Sequence, residues 1–370
     1  GRKENISSSN LLKIGNNLSM TIHGVMTRLF DSHGFGSSKA TRSLVKNIDQ
    51  IKPDIIHLHN LHGYYLNIKI LFNYLSKINR PIIWTLHDCW AFTGHCTYFD
   101  FIACEKWKNQ CHHCPQKKTY PASFLLDRSQ NNYLLKKELF NSVENLTIVP
   151  VSNWLCNLVS QSFLSGHSIK VINNGLDVSV FKLHEVLDLK RKLGFNNKFI
   201  ILGIADRWSP RKGFLDFIKL SKTLSNDYLV VLVGLNRNQI KHLPARVVGF
   251  NKTSSKSELV DFYNIADVFV NPTWEDNFPT TNLEAIACGT PVITYKTGGS
   301  PEAVNDKTGF VVNQGDTNGL LDAINIVKSL GKNHFSQACR ERALKLYDKN
   351  DRYNDYLLLY KSLLESNKSG

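Results

Sequence analysis

Short apolar runs alternating with amphipathic helical stretches constrain this 370-residue chain more than any other feature. The clearest runs are residues 54–59 (DIIHLH), 81–86, 146–151, 169–172, 199–204 (FIILGI), 229–233, 268–271 and 291–294. Their near-continuous Val, Ile and Leu content suits strands covered on both faces, as in a parallel sheet. Helical patterns such as 258–265 and 283–288 lie between them, which is the order βαβ units require. The runs form two groups, so the expected class is α/β with two Rossmann-like domains, 1–181 and 182–345. Asn173, Asn174 and Gly175, with the extended 177–181, are expected to make the crossing. Residues 335–364 read as a long helical pattern, with 346–370 a C-terminal helix and tail assigned to neither domain. Two such domains facing each other enclose a cleft, the usual place for a ligand.

Bulk properties narrow the class. Hydrophobic residues make up 42% and charged residues 21%, an ordinary globular balance. No apolar run reaches the ~18–20 residues that span a bilayer, and no secretory signal pattern is present. Lysine plus arginine less aspartate plus glutamate is 45 − 31 = +14, which favours an anionic partner such as nucleotide phosphates or acidic lipid. Basic patches interleaved with aromatics are not evident, so no nucleic-acid partner is expected. Eight cysteines are too few for a disulfide framework and, without an export signal, point to a reducing cytoplasm.

The densest chemistry lies in residues 271–304, NPTWEDNFPTTNLEAIACGTPVITYKTGGSPEAV. A strand ends, an acidic loop follows, and Pro279 stands where a helix should begin, its missing N–H costing nothing there. Thr280, Thr281 and Asn282 are expected to offer backbone N–H groups and hydroxyls at the positive end of the helix dipole, an anion site. Glu284 lies one turn further in. A plain βαβ unit with solvated acids explains this stretch equally well on its own. A second constellation shifts the balance. Directly after FIILGI comes ADRWSPRKGF (205–214), which puts Arg207 and Lys212 at the C-terminal end of a strand. Open α/β sheets bind ligands at that edge. A guanidinium fork beside a lysine point charge suits a diphosphate.

Taken together, R-x4-K-G after a domain's first strand and a downstream acid-x7-E-A-x-A-x-G-x-P-V resemble family 4 of the retaining glycosyltransferases, with the GT-B fold. The resemblance implies a nucleotide-diphosphate sugar donor whose phosphates are held by Arg207 and Lys212, which also offset the departing charge. It implies that the first acid touches the sugar hydroxyls and that Glu284 touches the ribose. Here the first acid is Asp276 where Glu is usual, with Glu275 just before it, and Phe278-Pro279 replaces Phe-Gly. Aspartate is one methylene shorter, so either Asp276 or Glu275 is left to meet the sugar. Phe278, Thr280, Thr281, Asn174 and Gly175 complete the expected donor side. No metal is required for such catalysis, because the two cations supply the electrostatics.

In the first half, His59 and His87 end strands that face the expected cleft. A strand-end histidine is often only a packed structural residue, but the family places one near the donor sugar, and His87 matches it. Of His57 and His59, only one is expected to face the cleft, and His59 lies nearer the strand end. IIHLHNLHGYYLNI, WTLHDCWAFTGHC and the Cys-rich insert at 89–120 resemble a bacterial subgroup that builds colanic acid, O-antigen and capsule. That subgroup implies a saccharide acceptor on a lipid carrier, and an N-terminal strand and loop of roughly 40 residues before the first Gly1, by the length of a βαβ unit.

Cys96, Cys104, Cys111 and Cys114 follow the spacing C-x7-C-x6-C-x2-C. The closing C-x2-C fits a zinc knuckle, and four thiolates suit a closed, structural tetrahedral site. Buried free thiols and disulfides are the rivals. Residues 120–140 read as a loop and an amphipathic helix with Lys136 and Lys137 exposed. Its apolar face packs on a core, yet a lipid-linked acceptor would bring this domain to the inner face of the membrane, where positive charge binds anionic lipid. Two further classes stay open: a zinc-knuckle nucleic-acid binder, and an inactive glycosyltransferase paralogue. A nucleotide-sugar dehydrogenase or epimerase lacks its G-x-G-x-x-G, the nearest candidate being Gly34-Phe-Gly36.

Overall fold

The computed structural model describes residues 10–369; the polar opening, residues 1–9, lies outside the described residues. Two parallel sheets organise the chain. The first holds β1 (Ile56–His59), β2 (Ile82–Leu86), β3 (Leu146–Pro150) and β4 (Ser168–Ile169) in the order β1-β2-β3-β4. The second holds β5 (Phe199–Ile204), β6 (Tyr228–Val233), β7 (Val247–Phe250), β8 (Val268–Asn271), β9 (Val292–Tyr295) and β10 (Gly309–Val312). Its order is β10-β9-β8-β5-β6-β7. β7 and β10 carry glycine within four-residue strands, which is why no apolar run marked them. β5 is buried along its middle four residues and β2 and β3 along their whole length, as helices covering both faces demand.

The strand order of the second sheet matters for function. From β5 the chain runs outward through β6 and β7, then returns to build β8, β9 and β10 on the other side. The crevice between the ends of β5 and β8 is therefore a topological switch point, where open α/β sheets bind ligands. The loops after both strands meet there. Gly213, at φ +75°, lies so close to Pro272 that a Cβ would stand 2.1 Å from the Pro272 carbonyl oxygen. Only glycine permits that approach.

The C-terminal segment is two helices, not one. Lys332–Tyr347 packs in the second domain's core, the chain turns at Asp348 (φ −61°, ψ 127°), and Lys349–Ser369 crosses back onto the first sheet. There Leu359 joins Ile83, Val149 and Ile172 in a small core. Leu176 and Asp348 bridge the outgoing and returning crossings, with Leu176 N–H donating to the Tyr347 carbonyl at 2.7 Å. Among the described residues no helix is long and apolar enough to cross a membrane.

The 89–120 insert contains three short 3-10 turns, Trp90–Phe92, Asp100–Ile102 and Lys106–Lys108, and no strand. The helix that follows, Ser129–Asn141, corrects one expectation. Lys137 is exposed, but Lys136 is fully buried. Its ammonium donates to the carbonyl oxygens of Trp90 (2.8 Å) and Thr93 (3.1 Å) and lies 3.5 Å from the Trp90 ring centroid. Those acceptors arise only when the insert folds over the helix, so helical periodicity alone could not reveal them.

Candidate active site

The C-terminal ends of the two sheets face each other, and side chains from both close the space between them. In the second domain, Arg207 and Lys212 sit in the loop that leaves β5. Arg207 is exposed. The Lys212 ammonium pairs with the Asp276 carboxylate, which sits in the loop that leaves β8. The two loops are zipped together: Trp274 N–H donates to the Arg211 carbonyl at 2.8 Å, and the Arg211 guanidinium donates to the Glu275 carbonyl at 3.1 Å. Gly298, at φ +54°, brings the loop after β9 against the same spot, where a Cβ would stand 1.8 Å from the Asp276 carbonyl oxygen.

Glu275 and Asp276 have different surroundings. Asp276 keeps its carboxylate at the cleft beside Lys212, with its side chain 15% exposed. Glu275 is buried, and its carboxylate accepts the Phe101 N–H from the Cys-rich insert at 2.9 Å. Burial, outweighing that bond and the nearby Arg211, raises its pKa. Phe101 also sets its ring 5.7 Å from Trp274, and the Arg211 guanidinium lies 5.3 Å from the Tyr98 ring centroid. The adjacent acids thus divide: one toward the cleft, one into the domain contact.

The helix after this loop runs Thr280–Ala287, so Pro279 is its cap and not, as expected, its first residue. Thr280 is exposed and Thr281 half-buried at its start. Asn282 is not available there. Its N–H donates to the Pro279 carbonyl, and its buried side chain is locked between Asn271 (2.9 Å) and Ser300 (3.0 Å). Glu284 accepts the Tyr263 hydroxyl at 2.7 Å. Phe278 is buried, with its ring 5.9 Å from Tyr347. Asn174 and Gly175 lie in the crossing, where a Cβ on Gly175 would stand 2.6 Å from the Lys349 Cα. The structure thus brings Arg207, Lys212, Asp276, Thr280, Thr281 and Glu284 to one sheet edge, while Phe278 and Glu275 are packed away from it.

In the first domain, His59 and His87 end adjacent strands, and His59 Nδ1 stands 3.2 Å from His87 Nε2. The expectation that only one of His57 and His59 faces the cleft is wrong. Residues two apart share a strand face, and the two rings are 4.2 Å apart. They differ in depth instead. His57 is tied to the Tyr360 hydroxyl (2.6 Å) and the Thr85 hydroxyl (2.8 Å), while His59 is exposed at the strand end. Burial, then the neighbouring imidazoles His59 and His87, lowers His57 to about 4. Burial lowers His59 and His87 as well, His59 further through His87, and His87 against the opposing pull of Asp88. All three are neutral near pH 7. His62 Nε2 stands 2.8 Å from the Asp88 carboxylate beside them.

Two groups that sequence reasoning missed join the halves. Asn277 is buried, donates to the His87 carbonyl at 3.0 Å and accepts the Ser152 hydroxyl at 2.5 Å. Glu302 reaches across to accept the N–H groups of Asn153 (2.9 Å) and Trp154 (2.8 Å) at the start of the helix Asn153–Ser160. A carboxylate at a helix N-terminus is favourable. Neither contact has a local signal, because each partner lies in the other domain.

The four insert cysteines line one small cavity together with His95 and Trp107. All eight cysteines are free thiols. Among the described residues, no three His, Cys, Asp or Glu side chains converge as placed in a metal-holding arrangement.

Comparison with known proteins agrees with this architecture. Residues 19–180 match the model of Glycosyltransferase Family 4, and residues 186–345 match that of Glycosyl transferases group 1. The putative colanic acid biosynthesis glycosyl transferase WcaC of Escherichia coli K12 is 25% identical over 328 residues, covering 85% of this chain and 78% of WcaC. The capsular polysaccharide biosynthesis glycosyltransferase CapM of Staphylococcus aureus is 27% identical over 168 residues, covering 45% of this chain and 37% of CapM. Among solved structures, HepE of Anabaena in complex with UDP superposes with a TM-score of 0.67 at 17% identity, over 88% of this chain and 82% of HepE. Sucrose-phosphate synthase of Thermosynechococcus elongatus gives 0.66 at 19% identity, over 89% and 79%. With two facing parallel-sheet domains and both halves matched, the chain belongs to the family 4 glycosyltransferases of the GT-B fold.

Proposed function

We propose that this glycosyltransferase moves a sugar, with retention of anomeric configuration, from a nucleotide-diphosphate sugar to a growing, lipid-linked unit of a bacterial surface polysaccharide. The observation that carries the reading is the convergence of Arg207, Lys212 and Asp276 at the switch point between β5 and β8. When the bond between the sugar's anomeric carbon and the diphosphate oxygen breaks, its electron pair stays on the diphosphate. Lys212, held in place beforehand by Asp276, and Arg207 offset the charge that gathers there. Asp276, already paired with Lys212, takes the sugar hydroxyls, and Glu284 takes the ribose. Thr280 and Thr281 add the helix N-terminus to the anion site. His87, neutral and beside His59, flanks the reacting sugar from the other domain. The polysaccharide acceptor is supported by the names of WcaC and CapM, and the donor class by HepE, solved with UDP and with UDP-glucose. No nucleic-acid role is needed to account for the positive charge, which the donor phosphates use in part.

A membrane contact fits the same reading. Phe124, Leu125 and Leu126 are exposed beside the helix Asn17–Phe30, whose Leu18, Ile22, Val25 and Met26 are exposed too. Backbone bonds from Phe124 and Leu126 to the Arg28 and Leu29 carbonyls join the two segments. An apolar face with basic neighbours is suited to an anionic bilayer surface. Sedimentation with liposomes that does not respond to anionic lipid content would count against it.

The whole reading is tested by a thermal-shift screen of nucleotide sugars, followed by proton NMR of the product formed from the stabilising donor. A product with the donor's anomeric configuration is expected. An inverted product, or no nucleotide sugar that stabilises the chain, overturns the proposal.

A further inference from the structure

We propose that Cys96, Cys104, Cys111 and Cys114 hold one zinc ion, which folds the 89–120 insert and thereby fixes the surface that meets Glu275. The four side chains, from three separate turns, line a single small cavity closed by Trp107 and His95. Cys96 interacts electrostatically with Cys114 and Cys111. Backbone N–H groups are aimed at two of the sulfurs, Gly94 at Cys111 and Gln116 at Cys114. N–H donors of this kind stabilise thiolates far more than thiols. Gly94 owes its identity to this packing, since a Cβ there would stand 2.0 Å from the Ser129 carbonyl oxygen and 2.9 Å from the Cys111 Cβ.

The surroundings carry charge that the proposed sugar transfer does not use. Lys136 is buried, and its ammonium interacts with Cys96 and Cys111. Zinc binding by four thiols forms four Zn–S bonds and releases four protons, leaving a centre of net charge −2 for Lys136 to offset. Buried His95 holds Asp31 through Nδ1 at 2.6 Å, while its Nε2 has no hydrogen-bond partner. His95 interacts electrostatically with Cys114, whose thiolate would give Nε2–H an acceptor. Asp31 is itself fixed by the Arg128 N–H at 2.8 Å, so the supporting layer around the site is built. As placed, the sulfurs are not in metal-holding geometry; they need to draw in across the cavity they already share.

The test is metal analysis of the full chain purified under reducing conditions, together with cobalt(II) substitution. One zinc per chain is expected, with thiolate-to-cobalt charge-transfer and tetrahedral ligand-field bands after exchange. Neither measurement depends on a variant folding or on sugar transfer, so failure here is separable from failure of the proposed activity. Cys104→Ser and Cys114→Ser should each lower zinc at least tenfold, while Cys156→Ser keeps it. Wild-type protein without zinc overturns the proposal. Retention of zinc by Cys104→Ser with its loss in His95→Ala overturns the four-cysteine assignment.

Discussion

The two halves of this molecule build their contributions to the cleft in different ways. The donor half assembles its groups from short stretches of chain: Arg207 and Lys212 in one loop, Asp276 to Glu284 in another, placed side by side by the β5–β8 switch point. The acceptor half depends on partners far away in sequence. His57 is held by Tyr360, 303 residues on, and the His87 carbonyl by Asn277, 190 residues on. A half built from local motifs concentrates its chemistry in a few side chains. A half built from long-range contacts spreads its integrity over the whole fold. Substitutions in the two should therefore fail differently, one in turnover and the other in stability.

The largest expected effect is Lys212→Ala, which should lower kcat by about 10²–10³ at saturating donor, the size seen when one preorganised transition-state donor is removed. Near-normal turnover would place the leaving-group charge elsewhere and break the comparison on the donor side. Gly213→Ala comes next. It forces φ +75° on a residue with a Cβ and drives that Cβ into Pro272, so a loss of about 1–3 kcal/mol or more is expected from backbone strain alone. Chemical denaturation measures it, and an unchanged midpoint would show that the β5 and β8 loops do not need this approach.

Asn277→Ala leaves the Ser152 hydroxyl without its acceptor in a buried contact and removes the donor to the His87 carbonyl. A cost of about 1–3 kcal/mol follows from the unsatisfied buried groups, with a smaller effect on kcat than Lys212→Ala. If turnover fell as far as in Lys212→Ala while stability held, Asn277 would belong to the chemistry and the contrast between the halves would blur.

The smallest effect concerns pH. Folded His57 titrates near 4, while an unfolded imidazole titrates near 6.5. Between those values the unfolded chain binds more protons, so stability is full above 6.5 and falls as pH drops through that window. His59 and His87 are shifted in the same direction and add to the fall. His57→Gln should make the decline shallower, read as melting temperature against pH. A variant as steep as the parent would mean that His57 is not the group being protonated.

The same contrast explains what the sequence could and could not show. Strands β2, β3, β5, β6, β8 and β9 were legible because burial on both faces writes itself as near-continuous apolar sequence, while β1 (IHLH) alternates buried Ile56 and Leu58 with the two histidines. β7 and β10 were not, since VVGF and GFVV are short and broken by glycine. That Arg207, Lys212 and Asp276 would share one sheet edge was legible because their spacing along the chain survives folding. Lys136 read as a solvated helix lysine, its carbonyl partners being supplied by the insert. Glu275 read as a rival to Asp276 because nothing local indicates that Phe101 comes from the other domain to occupy it. His57 and His59 illustrate a simpler point: strand periodicity places them on one face, and depth along the strand, not side, separates their roles.

The central claim is that the nucleotide is held by the second half. Calorimetric titration of the nucleoside diphosphate identified by the donor screen tests it most directly, comparing the parent chain with the Arg207→Ala/Lys212→Ala double variant and with His59→Ala/His87→Ala. The donor-side variant should bind at least tenfold more weakly, while the histidine variant binds within about twofold of the parent, a tenfold change being about 1.4 kcal/mol. Unchanged affinity in the donor-side variant, with affinity lost in the histidine variant, would contradict it.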